Sequence, residues 1–164
     1  MDLPELPANI RIATPDDVPA IRRMIRELAE YEREPEVVKT TPEQLHDALF
    51  GPDAVAWALI ALDADGDPAG FALWYRSFST WEGTPGIYLE DLFVSDSQRG
   101  SGLGRALLSA LASIVVHRGW TRLEWSVLRW NADAIAFYDA IGGQPLDGWL
   151  TYRLSGDALD TLGT

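Results

Sequence analysis

The chain has 164 residues, 47% of them hydrophobic, enough for one domain with a packed core. It has no cysteine and only two histidines, His46 and His117, so disulfides and thiolate metal sites are excluded and no metal is expected. A formal net charge of −12 argues against nucleic acid, whose phosphates such a field repels, and suits a cationic partner.

The first residues, MDLPELPANI, carry neither a basic nor an apolar leader segment. Ile10 and Ile12 alternate as a short strand. The TPDD segment then marks a helix start, with Thr14 as cap, Pro15 at the first position, and Asp16 and Asp17 at the positive end of the dipole. Val18, Ile21, Ile25 and Leu28 form a helical stripe that should stop by Pro35. Thr41 and Gln44 make a capping box for a second helix, ended by Gly51. The longest apolar run, AVAWALIAL, is too short to span a bilayer and reads as a strand. A cytoplasmic protein with no membrane partner is the expectation.

A turn signal, DADGDP, joins that strand to a second, AGFALWYRSF. EGTPG reads as a loop. IYLEDLFVS follows as a strand carrying Glu90 and Asp91, which regular alternation turns to opposite faces. QRGSGLG leads into a helix through His117, closed by Gly119. TRLEWSVL alternates as a strand. NADAIAFYDAIGG is a helix capped by Asn131 and ended by Gly142, WLTYRL is a last strand, and GDALDTLGT adds one short helical turn. No linker interrupts the order, so one domain is expected over residues 1–164, with a core of about 10–154.

The loop ahead of the third long helix carries the chemistry. Glycine is costly to order, yet Gly100, Gly102 and Gly104 occupy alternate positions there. Bare backbone N–H groups at a helix N-terminus bind phosphate. A Walker loop is excluded, because the only lysine is Lys39, and the dinucleotide fingerprint fails at Arg105. The pattern that fits is Arg-x-x-Gly-x-Gly at Arg99, Gly102 and Gly104.

With this loop the chain resembles the GNAT N-acetyltransferase superfamily. IYLEDLFVSDSQRGSGLGRALL, NADAIAFYDAIGG and IRELAEYE are similar to its diamine branch, the spermidine/spermine and thialysine acetyltransferases. The resemblance implies an α/β fold with a mixed sheet of six to seven strands and helices on both faces. It implies that the fourth and fifth strands splay to admit acetyl-CoA as cosubstrate. The backbone of Leu92, Phe93 and Val94 would pair with the pantetheine arm, and one amide there would stabilise the oxyanion. Arg99, Gly100, Ser101, Gly102, Leu103, Gly104 and Arg105 would hold the pyrophosphate. Asn131, Ala132, Asp133 and Ala134 would line the same cofactor.

Acetyl transfer to an amine needs a neutral nitrogen, and a lysine-like ammonium has a pKa of about 10.4. It also needs a proton for the departing sulfur. The resemblance assigns the second task to Tyr138, a phenol that keeps its proton at neutral pH. It puts Glu90 beside the acceptor, either as a base acting through water or as an anchor for the cation. Tyr31 and Glu32 match residues that reach the acceptor from the opposite subunit. Glu124, Trp125, Ser126, Trp81 and Asp147 match further acceptor contacts. The family's acidic residue two before the tryptophan is Ser79 here, which removes one amine-binding charge.

The expectation is an N-acetyltransferase acting by direct attack on a small cationic primary amine, polyamine- or diamine-like, and working as a homodimer. An acceptor that is an amino acid, such as thialysine or lysine, or a peptide amine is the alternative. A coenzyme A-binding sensor without chemistry is the alternative of another class.

Overall fold

Ile10 and Ile12 do form a strand, β1 (Ile10–Ile12), in the computed structural model, which describes residues 2–164. The TPDD signal gives a 3-10 turn, Pro15–Asp17, and α1 (Val18–Tyr31) begins directly after it. Asp17 is buried, and its carboxylate accepts from Arg11 Nη1 and Nη2 at 2.6 and 2.8 Å and from Thr14 N at 2.7 Å. The Arg11 guanidinium, aided by Thr14, holds this carboxyl below the usual carboxylate range against the opposing effect of burial. The second capping box forms as expected. Thr41 Oγ1 accepts from Gln44 N, and Gln44 Oε1 accepts from Thr41 N, at the start of α2 (Pro42–Phe50).

Four longer or shorter strands follow: β2 (Trp57–Leu62), β3 (Pro68–Ser79), β4 (Thr84–Val94) and β5 (Leu123–Trp125). The sheet order is β1-β2-β3-β4-β5. Pairing is antiparallel up to β4, and β5 runs parallel to β4 after the crossover helix α3 (Leu103–His117). EGTPG is not a loop throughout. Thr84, Pro85 and Gly86 pair with Ser79, Phe78 and Ser77, so the hairpin turn is confined to 80–83. Gly86 is required where β5 approaches, since a Cβ there would lie 2.9 Å from the Arg122 carbonyl oxygen.

The sheet is covered on both faces. Ala58, Ile60, Phe71 and Phe93 join Val18, Ile21, Met24, Leu45 and Leu49 of α1 and α2 in one buried cluster. The intervening Leu59, Ala61, Ala72, Trp74 and Leu89 are buried on the other face, with Leu107, Leu111 and Ile114 of α3 also fully buried. Fully burying such a side chain is worth roughly 1.5–3 kcal/mol.

Two compact units result, one ending at Ser126 and the other Val127–Thr164. The second contains α4 (Ala132–Ala140) and α5 (Asp157–Leu162). Here the expected strand count is corrected. Five strands form instead of six to seven, because WLTYRL joins no sheet among the described residues and Leu150 and Tyr152 are exposed. Alternation prepares a segment for a sheet edge but does not supply the edge. The mixed α/β architecture agrees with the expectation.

Candidate active site

The register of β3 and β4 decides the site. Leu73 pairs with Asp91, but Trp74 pairs with Leu89, so Glu90 is an extra residue in β4. This β-bulge corrects the expectation that Glu90 and Asp91 face opposite sides. Tyr88 and Glu90 lie two apart and share a face. Asp91 shares the face of its partner Leu73, which is also the face of Tyr75, the partner of Tyr88. Both carboxylates therefore point to the side covered by α1. Glu32, at the C-terminal end of α1, adds its charge to theirs.

The electrostatics follow from that crowding. Burial first, then the charges of Glu90 and Glu32, push the Asp91 carboxyl up to about 6. Burial also raises Glu32. Tyr75 is raised by burial and then by Glu90 and Tyr88. The Tyr75 and Tyr88 rings stack at 5.2 Å, and Tyr88 Oη lies 2.7 Å from Ser126 Oγ. Asp91 was absent from the residues expected at the site. Its signal was a carboxylate inside an apolar strand, which alternation alone pointed away from Glu90.

Beyond the bulge, β4 has an open edge. β5 ends at Trp125, opposite Leu89, so among the described residues Leu92, Phe93 and Val94 pair only with β3, through Ala72, Phe71 and Gly70. The strands thus part where the pantetheine arm is expected. The loop after β4 leaves its backbone exposed. Gly100 and Gly102 have φ of +80° and +90°, and a Cβ on either would meet nothing within 4 Å. Gly102 caps α3, whose first backbone bond of helical type is Ala106 N to Gly102 O at 2.9 Å. The amides of Leu103, Gly104 and Arg105 precede that bond and have no carbonyl one helical turn earlier to take them. This open, glycine-walled cradle fits the pyrophosphate of acetyl-CoA.

Arg99 is held at the cradle. Its Nη2 lies 2.8 Å from Asp96 Oδ1, and its guanidinium carbon sits 4.5 Å from the centre of the Tyr31 ring. Ser101 Oγ donates to Gln98 O at 2.6 Å and so braces the loop. A cleft of about 590 Å³ lies nearby, lined by Glu27, Glu30, Tyr31, Asp63 and Asp96 among others. None of Glu32, Glu90 and Asp91 lines it.

The other expected residues divide. Tyr31 and Glu32, expected to act from an opposite subunit, also have neighbours within one chain, where Tyr31 meets Arg99 and Glu32 bears on Asp91. Glu124 is neutralised locally, with Oε2 2.8 Å from Arg122 Nε. The contact is an ion pair whose angle falls outside hydrogen-bond geometry. Arg122 directly precedes β5 and lies two residues from Glu124, a spacing that was visible in the sequence. Trp125 is half-buried and Trp81 is 86% exposed at the hairpin turn. Ser79 is buried, and its Oγ accepts from Glu82 N at 3.2 Å, so it closes that turn.

In the second unit, Asn131 Oδ1 accepts from Ala134 N at 3.2 Å and caps α4, with Ala132 and Asp133 in its first turn. Tyr138 lies on the same helix, half-buried, its ring centre 5.4 Å from that of Phe137. Asp147 is exposed in the following segment.

Comparison with known proteins identifies the family. The Acetyltransferase (GNAT) family pattern matches residues 20–142. Thialysine N-epsilon-acetyltransferase of Bos taurus is 39% identical over 163 residues, covering 93% of this chain and 95% of its own. L-ornithine N5-acetyltransferase of Arabidopsis thaliana is 31% identical, with 94% and 87% covered. Among solved structures, an integron cassette protein from the mobile metagenome of V. cholerae superposes with a TM-score of 0.78 at 26% identity, over 94% of this chain and 96% of that one. The chain belongs to the GNAT acetyltransferase family. It is an acetyl-CoA-dependent N-acetyltransferase.

Proposed function

We propose that the acceptor is the primary amine of a small cationic molecule, and that a lysine-like amino acid fits better than a long polyamine. The observation that carries this is the β4 bulge, which gathers Glu90 and Asp91 on one face within range of Glu32. Three carboxylates there favour an ammonium group. Ser79 supports the shorter acceptor, since a neutral side chain that closes the hairpin turn stands where the resemblance implies an acid. The similarity to the bovine thialysine N-epsilon-acetyltransferase and the Arabidopsis L-ornithine N5-acetyltransferase supports the same class.

Acetyl-CoA supplies the acetyl thioester when bound. The amides of Gly100 and of Gly102 to Arg105 would hold its pyrophosphate, with Arg99 beside them. The open edge of Leu92 to Val94 would align its pantetheine arm, and one of those amides would meet the negative charge that develops on the carbonyl oxygen. Asn131 to Ala134 would line the cofactor. Tyr138 holds a proton suited to the departing sulfur. Glu90 anchors the acceptor cation.

The family match over residues 20–142 supports a single catalytic domain over residues 1–164. We extend the proposal to a cytoplasmic homodimer. No helix among the described residues is long and apolar enough to cross a membrane. The test is a panel of thialysine, lysine, ornithine, spermidine and a basic peptide, assayed for release of free coenzyme A thiol from acetyl-CoA. Saturable transfer to the small amines is expected. Activity on the peptide alone, or acetyl-CoA binding with no transfer, refutes the proposal.

A further inference from the structure

We propose that Asp91, rather than Glu90, takes the proton from the acceptor ammonium. This rests on the acceptor class proposed above and names a catalytic residue for that site.

The bulge is the geometric basis. An extra residue at Glu90 turns Asp91 to the face shared with Tyr75, Tyr88 and Glu90. The two carboxylates differ in surroundings. Glu90 is exposed, whereas Asp91 is mostly buried, paired with Leu73 and one residue from Leu92 and two from Phe93. Among the described residues no ion pair or hydrogen bond is found that engages the Asp91 carboxylate, in contrast to Asp17 and Glu124, which are clamped by Arg11 and Arg122. The charges that bear on it are those of Glu90 on β4 and Glu32 at the end of α1, and Tyr88 on β4 and Tyr75 on β3 share its face. None of them is a cation. A buried carboxylate among like charges holds a proton more readily than a solvated one. Its carboxyl, pushed up to about 6, is ionised at pH 7.5 yet basic enough to accept a proton.

The step balances as follows. The ammonium gives one proton to the Asp91 carboxylate, and the freed nitrogen lone pair forms a C–N bond to the acetyl carbonyl carbon. The C–S bond breaks, and sulfur leaves with its electron pair and takes a proton. The second nitrogen proton matches the one sulfur takes, so Asp91 releases a single net proton to water. Asp91 sits immediately before Leu92, the first residue of the open edge proposed to align the thioester arm, so the base and the donor are adjacent along one strand.

The test compares wild type, Asp91→Asn and Glu90→Gln with thialysine as acceptor, from pH 5 to 9. Acetyl-CoA affinity, measured separately by calorimetry, reports on folding and donor binding. The wild-type kcat/KM should fall on an acid limb centred near pH 6. Asp91→Asn should lose about 100-fold or more in kcat at pH 7.5, the range general-base removal gives, with acetyl-CoA affinity within about twofold. Its residual rate should then climb about tenfold per pH unit toward pH 9, tracking the free amine, because solution now supplies the deprotonated nitrogen. A structural role for Asp91 would not produce that climb. Glu90→Gln should raise KM and keep the acid limb. The proposal is overturned if Asp91→Asn keeps its kcat, if its loss is the same at every pH, or if the limb disappears in Glu90→Gln instead. A wild type that binds acetyl-CoA but acetylates no amine refutes the proposed function, and this role with it.

Discussion

Asp91→Asn should stabilise the folded chain while impairing its chemistry. Asparagine keeps the shape and removes the buried charge. The carboxyl is raised from 3.8 in the unfolded chain to about 6 in the folded one. At 1.36 kcal/mol per pH unit, that gap of about two pH units makes ionised Asp91 cost about 3 kcal/mol of folding stability. The sign follows from the direction. Below pH 3.8 both states carry the proton and nothing is lost; between 3.8 and 6 the unfolded chain releases it first, and wild-type stability declines. Above 6 the full cost is present and constant. The advantage of Asp91→Asn should therefore open between pH 4 and 6 and level off near 3 kcal/mol, an upper bound that neighbouring water would reduce. For a chain of this length it corresponds to a melting temperature roughly 6–12 °C higher at pH 7.5. Urea unfolding of both proteins at pH 4, 5, 6, 7 and 8 measures it. A difference that is flat across this range, or a variant less stable at pH 8, refutes the claim that Asp91 is a buried charge held against its preference.

Two further outcomes test the donor side. Gly102→Ala adds a Cβ at φ +90° that meets nothing within 4 Å, so it should cost only about 1 kcal/mol of stability through backbone strain. The same methyl would stand in the cradle, and coenzyme A affinity by calorimetry should fall about tenfold or more, the worth of one charge-assisted hydrogen bond; unchanged affinity would mean the amides hold no phosphate. Tyr138→Phe should lower kcat about 100-fold and leave acetyl-CoA affinity within about twofold, whereas an unchanged kcat removes Tyr138 as the proton source.

What could be seen in the sequence were features that depend on near neighbours. The Thr41–Gln44 box is a contact between residues three apart, and it formed as expected. The glycines at 100 and 102 show in the sequence because positive φ selects for them wherever the fold puts the loop. The bulge at Glu90 is different in kind. IYLEDLFVS contains no residue that demands it, and it exists because β3 takes Asp91 opposite Leu73 and Leu89 opposite Trp74. Register is a property of two strands, so one strand's alternation assigned Asp91 to the wrong face. WLTYRL fails for the same reason: its pattern is that of a strand, but pairing needs an edge elsewhere.

Donor and acceptor were therefore unequally visible. A phosphate is held by backbone, and backbone imposes its needs on residue type, so Arg-x-x-Gly-x-Gly announces itself. An ammonium is held by carboxylates, and this chain has 25 acidic residues, most of them on the surface for solubility alone. What separates Asp91 from the rest is one extra residue in a strand, a largely buried position and the lack, among the described residues, of a cation such as those that Arg11 and Arg122 provide to Asp17 and Glu124. Those distinctions arise only when the strands pair. An acidic residue in this chain thus becomes evidence of chemistry only where the fold has buried it without supplying its counterion, and that condition leaves room for the substrate to supply the positive charge.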